Sequence, residues 1–282
     1  MGTDSVACHT DLYAVFGNPV KHSKSPEIHH AFAEQVGHTL TYLKKEVDLD
    51  GFALACDEFF NNGGKGLNVT VPFKQQACEY ADRVSERAKL AKAANTLSCL
   101  DGLIYADNTD GAGLIQDIEH RLKWPIQGQR LLILGAGGAV RGVLKPLLDR
   151  HPLEIVIANR TESRARALAD DFSAYGTVTA KGFSAVEGSF DLIINATSAS
   201  LAGELPTVSE SIFNPQSHAY DMAYGDDDTV FIAWAKSLGV SACSDGLGML
   251  VGQAAESFYI WRGVRPETQG VIAKLTGKRR ST

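Results

Sequence analysis

The sequence predicts an α/β protein of two lobes, the second of them a doubly wound parallel sheet, and three observations carry that reading. The 282 residues, 44% of them apolar, suffice for two hydrophobic cores on a norm of roughly 150 residues per domain. Short apolar runs alternate with stretches of helical period along most of the chain. In the second half one such run breaks into Gly135-Ala136-Gly137-Gly138 and continues as a helix, the turn that a strand–helix–strand crossover needs.

In chain order, residues 12–16 read as a strand, 26–36 as a helix with Ile28, Phe32 and Val36 on one face, and 41–47 as a strand. Residues 49–60 again have helical period; Asn62-Gly63-Gly64 stops them before a strand at 67–71. Residues 96–100 and 103–106 flank Asp101-Gly102, a two-residue hairpin signal. Leu114, Ile118 and Leu122 give residues 111–122 helical spacing, and a polar turn around residues 124–129 carries the connection between lobes. Strands at 130–134, 154–158, 190–195 and 219–222 then alternate with helices, one through Val143, Leu147 and Leu148 and one over 163–172, which implies a parallel sheet. An apolar helix over 246–261 and another over 267–275 are expected to cross back onto the first lobe. The expected division is therefore residues 1–110 with 246–282 in one domain and 111–245 in the other.

Composition narrows the function. A formal charge of −6 gives nucleic acid or an anionic membrane no overall electrostatic reason to bind. The five cysteines, Cys8, Cys56, Cys78, Cys99 and Cys243, are scattered and lack a CxxC pair, which fits a reducing cytoplasm rather than a disulfide framework or zinc site. The histidines show no metal-ligand spacing, so no metal is expected. Residues 1–10 do not read as a signal peptide, no apolar run approaches the ~20 residues of a bilayer crossing, and Lys278, Arg279 and Arg280 read as a frayed basic tail.

The turn Gly135-Ala136-Gly137-Gly138-Ala139-Val140 lies between strand and helix, where glycines let the backbone approach a pyrophosphate at a helix N-terminus. That points to a Rossmann-type dinucleotide domain, with Val140 at the position where a third glycine would bring helix and strand together. An NAD site carries an acidic residue roughly 20 residues later, at the tip of the second strand. Here the tip reads Asn159-Arg160-Thr161 with Arg164 one turn on, and Glu154 lies at the strand's other end. Two guanidinium groups suit a 2′-phosphate, so the cofactor expected is NADP.

Three polar clusters stand where strands of the first lobe end: His22-Ser23-Lys24-Ser25-Pro26, Asn68-Val69-Thr70-Val71-Pro72-Phe73-Lys74, and Asn95-Thr96 with Asp107-Asn108-Thr109-Asp110-Gly111. Each has a plain structural explanation. Ser25 before Pro26 and Glu27 reads as a helix N-cap, Asp110 as the cap of a helix beginning at Gly111, and Lys74 as a solvated lysine.

Taken together, however, these segments resemble the shikimate dehydrogenase family. The likeness also takes in Phe16-Gly17-Asn18-Pro19, Gly135 to Gly138, Asn159-Arg160-Thr161, Asn195-Ala196-Thr197-Ser198, and Asp245-Gly246-Leu247-Gly248-Met249-Leu250 with Gln253. The segments run nearly the length of the chain in the family's order. Val140 and Ser200 depart from the family's usual residues, the second bearing on the shape of a loop near the nicotinamide. The resemblance implies reversible, NADP-linked reduction of 3-dehydroshikimate to shikimate in the pathway to aromatic amino acids. It makes Lys74 and Asp110 the catalytic pair. Ser23 and Ser25 would hold the substrate carboxylate, and Thr70, Asn95, Asp110 and Gln253 its carboxylate or hydroxyls, with Tyr224 nearby. Met222 and Gly246 would line the nicotinamide end, and Gly135 to Val140, Asn159, Arg160, Thr161 and Arg164 the rest of the cofactor. The implied protein is cytoplasmic, a monomer or homodimer acting on a small molecule. A quinate/shikimate dehydrogenase using NAD or NADP is the alternative, and a non-catalytic NADP-binding regulator a more distant one.

Overall fold

The computed structural model describes residues 10–197, 199 and 203–279; Cys8, Ser198, Ser200 and Arg280 lie outside the described residues. The first lobe runs β1 (Asp11–Gly17), α1 (Ser25–Gln35), β2 (Leu40–Glu46), α2 (Phe52–Asn61), β3 (Gly64–Val69), α3 (Lys74–Tyr80), β4 (Arg83–Val84), α4 (Glu86–Ala91), β5 (Thr96–Leu100) and β6 (Leu103–Asp107). These strands form one sheet in the order β2-β1-β3-β5-β6-β4. Only β5 runs against its neighbours, and the expected hairpin turns at Asp101 and Gly102, both at positive φ. Alternation along β1 decides the two cores: Tyr13 and Val15 pack with Ile28 and Phe32 of α1, whereas Ala14 and Phe16 pack with Phe52 and Phe59 of α2.

The chain leaves this lobe through α5 (Asp110–Ile115), which continues as a π-helical segment Gln116–Arg121. The wider turns carry Asp117 into the interior, where its carboxylate accepts from Tyr220 Oη at 2.7 Å and from Arg121. The second lobe runs β7 (Arg130–Leu134), α6 (Gly138–Leu148), β8 (Glu154–Asn159), α7 (Glu162–Phe172), β9 (Val178–Gly182), β10 (Leu192–Asn195), β11 (His218–Asp221), α8 (Val230–Ser237) and β12 (Ala242–Asp245). Its six strands are all parallel in the order β12-β11-β10-β7-β8-β9, a doubly wound Rossmann-type sheet whose direction of winding reverses between β7 and β10. Leu131 and Ile133 of β7 face one core, Leu132 and Leu134 the other. Helix α9 (Leu247–Arg262) then returns to pack on α1, followed by α10 (Gln269–Arg279), as the sequence leads one to expect.

The sequence reading differs from the structure in definite places. Ser25 is not an N-cap: α1 begins at Ser25 itself, and its N–H and hydroxyl are both engaged by Ser23 Oγ. Asp110 is likewise the first residue of α5 rather than its cap, and its N–H donates to Asn108 Oδ1. Helices α3 and α4 are seven and six residues long, too short for periodicity to reveal, and β4 has two residues. Helix α8 escapes a reading by period because Val230 to Ala235 is apolar on every side, and β12 because it reads Ala-Cys-Ser-Asp.

Candidate active site

Parallel strands β1, β3 and β6 end at one edge of the first sheet, and each delivers a segment there. After β1 the chain turns through Asn18, whose N–H donates to Val71 O at 3.1 Å, and reaches Ser23 and Ser25 at the start of α1. After β3 come Thr70 and, at the first residue of α3, Lys74. After β6 comes Asp110 at the first residue of α5. A cavity of about 360 Å³ opens among them, lined also by Asn68, Asn95 and Gln253, by Met222 and Tyr224 after β11 of the second lobe, and by Gly246 just before the helix that follows β12. Every substrate residue expected from the sequence lines this cavity, as do Met222 and Gly246.

The polar contacts converge on Asp110. Lys74 Nζ donates to Asp110 Oδ2 at 2.5 Å, with the lysine side chain 29% exposed and the aspartate 12%. Asn95 Nδ2 donates to Asp110 Oδ1 at 2.8 Å and also reaches Thr109 Oγ1 and Gln253 Oε1. Asn95 is itself fixed, because its Oδ1 accepts from Thr109 N–H and Thr96 Oγ1. A lysine amine held by a buried, oriented carboxylate at a cavity wall has the geometry to pass a proton to whatever the cavity holds.

Asn68 also stands on this wall, and the sequence alone assigns it no role. Its Oδ1 accepts from Tyr42 Oη at 2.6 Å and bonds His29 Nε2, and its amide donates to Asn95 O and Ser257 Oγ. Burial pushes the Tyr42 phenol well above its ordinary value, against a hydrogen bond with Ser25 that acts the other way. His22, from the first polar cluster, and Met249 and Leu250, from the segment before Gln253, also line the cavity, though the sequence assigned none of them a role.

The glycine turn forms a second cavity, of about 540 Å³, where β7, β8 and β10 end. Gly135 takes φ +112°, and a Cβ there would come within 3.0 Å of Ala196 O, so only glycine passes. Gly137, Gly138 and Ala139 line the cavity where the first amides of α6 have no acceptor within the helix, and at either glycine an added Cβ would meet nothing within 4 Å. Asn159, Arg160, Thr161 and Arg164 line the same cavity, and among the described residues neither guanidinium has a carboxylate partner. Glu154 is held by Arg130 at the far end of β8. Open amides at a helix N-terminus and two uncommitted arginines fit the pyrophosphate and 2′-phosphate of NADP. Val140 is the exception: it does not line the cavity, and its side chain packs fully buried with Leu131 and Ile133, so valine fits between helix and strand. Phe183, Thr197 and Pro206 also line this cavity; Phe183 follows β9, a strand that the sequence reading does not contain.

Comparison with known proteins agrees along the chain. A family model described as the shikimate dehydrogenase substrate binding domain matches residues 15–97, one described as shikimate/quinate 5-dehydrogenase matches 117–209, and one described as the shikimate 5′-dehydrogenase C-terminal domain matches 246–276. A shikimate dehydrogenase (NADP(+)) of Cellvibrio japonicus is 56% identical over 268 residues, 94% of this chain and 97% of the relative. An Ael1 enzyme from Pseudomonas putida has a similar structure, with TM-score 0.90 and 48% identity over 95% of this chain and 98% of that one. A shikimate 5-dehydrogenase from Thermus thermophilus, solved in complex with NADP(H) and shikimate, gives 0.84 and 29% over 96% and 100%.

Proposed function

The chain belongs to the shikimate dehydrogenase family, and from that premise we propose that Lys74 and Asp110 carry its reversible, NADP-dependent reduction of 3-dehydroshikimate to shikimate. What supports this reading is the 2.5 Å contact between Lys74 Nζ and Asp110 Oδ2 in a cavity that Met222 of the other lobe also lines. Residues 1–110 with 246–282 form the substrate-binding unit and 111–245 the NADP-binding unit. Bound NADPH supplies the hydride equivalent for the carbonyl carbon. As negative charge gathers on the carbonyl oxygen, Lys74 Nζ donates a proton to it, and Asp110 keeps the amine aimed. Asn95 and Thr109 hold Asp110 in place. Ser23 and Ser25 bind the substrate carboxylate, while Thr70, Asn95, Gln253 and Tyr224 satisfy its hydroxyls. Gly135 to Ala139, Asn159, Arg160, Thr161 and Arg164 hold the cofactor's phosphates and ribose. The enzyme acts in the cytoplasm on a small molecule, as a monomer or homodimer.

The test is a rate assay at the NADPH absorbance band that crosses shikimate and quinate with NADP and NAD. Shikimate with NADP is expected to be fastest; a comparable quinate rate would change the substrate assignment, and a comparable NAD rate the cofactor. Lys74→Ala is expected to lower turnover by about 10²-fold or more with NADP affinity little changed. Wild-type turnover in that variant removes Lys74 from the mechanism.

A further inference from the structure

Arg87, on the first turn of α4, lies outside the substrate cavity and joins two of the segments that build it. Its Nε donates to Asp107 Oδ1 at 2.6 Å and its Nη2 to Asp107 Oδ2 at 2.8 Å, while Nη1 and Nη2 both reach Glu256 Oε1 at 3.3 Å. Asp107 ends β6, three residues before Asp110, and Glu256 follows Gln253 by three residues on α9. The turn between them is made by side chains. Asp107 Oδ1 also accepts from Ser85 Oγ at 2.6 Å and from Asn108 N–H at 2.7 Å. Asn108 Oδ1 in turn accepts the N–H of Asp110 at 3.1 Å, and its amide donates to Ala93 O. Burial pushes the Asp107 carboxyl up, but hydrogen bonds from Arg87 and Ser85 outweigh it and leave it below the ordinary carboxylate value. The same balance raises the Arg87 guanidinium above its ordinary value.

We propose that Arg87 is a positioning residue, clamping the β6–α5 turn to α9 so that Asp110 and Gln253 meet Asn95 and Lys74 in one geometry. The inference rests on the reading of Lys74 and Asp110 as the catalytic pair. Only a planar fork can take Asp107 through two parallel bonds while reaching Glu256; a lysine ammonium is a single point charge. Without the guanidinium, Asp107 would keep only Ser85 and the Asn108 N–H among the described residues, and Glu256 only Arg265, so nothing would tie the two carboxylates together.

Arg87→Ala, Arg87→Lys and Lys74→Ala are compared by steady-state kinetics with NADPH and 3-dehydroshikimate, at temperatures where circular dichroism finds each variant folded. For Arg87→Ala, kcat is expected to fall by about 10- to 100-fold while KM for NADPH stays within about twofold, since the cofactor cavity is untouched. Free guanidinium at millimolar concentration restores part of that kcat and methylammonium does not. Arg87→Lys is expected between Ala and wild type, and it carries the test alone should the alanine variant fail to fold. Full turnover in either variant overturns the proposal, and so does a loss that merely equals the fall in NADPH-binding stoichiometry. Should Lys74→Ala turn over normally, the catalytic reading fails instead, whatever Arg87 does.

Discussion

His29 is fully buried, its ring stacked on Tyr42 with centroids 4.5 Å apart. Asn68 Oδ1 has only acceptor capacity, so the His29 Nε2 that meets it carries the proton and Nδ1 is bare; among the described residues Nδ1 has no partner. Burial lowers its pKa from 6.5 to about 3, against the opposing hydrogen bond with Asn68 and with help from His30. Below pH 6.5 the unfolded chain takes up a proton that the native site refuses until about pH 3. Stability is therefore complete above that window and is lost as pH falls through it, at up to about 1.4 kcal/mol per pH unit. Urea unfolding of His29→Gln between about pH 6 and about pH 4 should show a shallower decline than wild type by nearly that amount. Identical slopes would refute it. The polar clusters that hold Lys74, Asp110, Asn68 and the two serines were visible in the sequence because they gather where strands end, but each also had a plain structural reading, and only the family resemblance gave the lysine, the aspartate and the serines roles. His29 was not visible, since a histidine that spends its hydrogen bond inside a core is spelled the same as one in water.

Two helices, α5 and α9, carry the chain between the lobes, and they cross on glycine. A Cβ on Gly113 would lie 2.5 Å from Gln253 N and 2.7 Å from Met249 O, and one on Gly252 would lie 3.0 Å from Gly113 O. Backbone cannot move aside as a side-chain tip can. Alanine's helix propensity favours Gly113→Ala by up to ~1 kcal/mol, but forcing the helices apart costs ~1–3 kcal/mol or more, so the packing loss wins. Gly113→Ala should be destabilised in urea, with kcat reduced because Gln253 shifts with α9. Gly270→Ala in α10, where an added Cβ meets nothing within 4 Å, should show no loss. Equal stability of the two variants would mean the crossing is looser than these distances. The long amphipathic helices and the β7 strand were legible from their periods, and the hairpin from Asp101-Gly102. The close crossing was not, since which helix packs against Gly113 and Gly252 depends on contacts far apart in the chain.

Helix α9 belongs to both lobes at once. Its Leu247, Val251, Ala254 and Phe258 fill the core shared with α1 and β1, while its Met249 joins the core of the second lobe with Leu114, Ile115 and Ile118 of the other crossing helix. Asp117 adds a polar knot, taking Tyr220 of β11 while Arg121 reaches Ser244 of β12. Chains of this length often unfold lobe by lobe when the interface is small and polar. Here neither lobe can lose its core without stripping α9 from the other. The chain should therefore unfold in a single transition, reported alike by Trp234 in the nucleotide lobe and Trp261 in the substrate lobe when each is the sole tryptophan. NADP+ at about 100 times its Kd, held mainly by the second lobe on the reading proposed above, should stabilise both reporters together by about 2.7 kcal/mol. Separate midpoints, or a shift seen by Trp234 alone, would show the lobes to be independent and would confine α9 to a link between them.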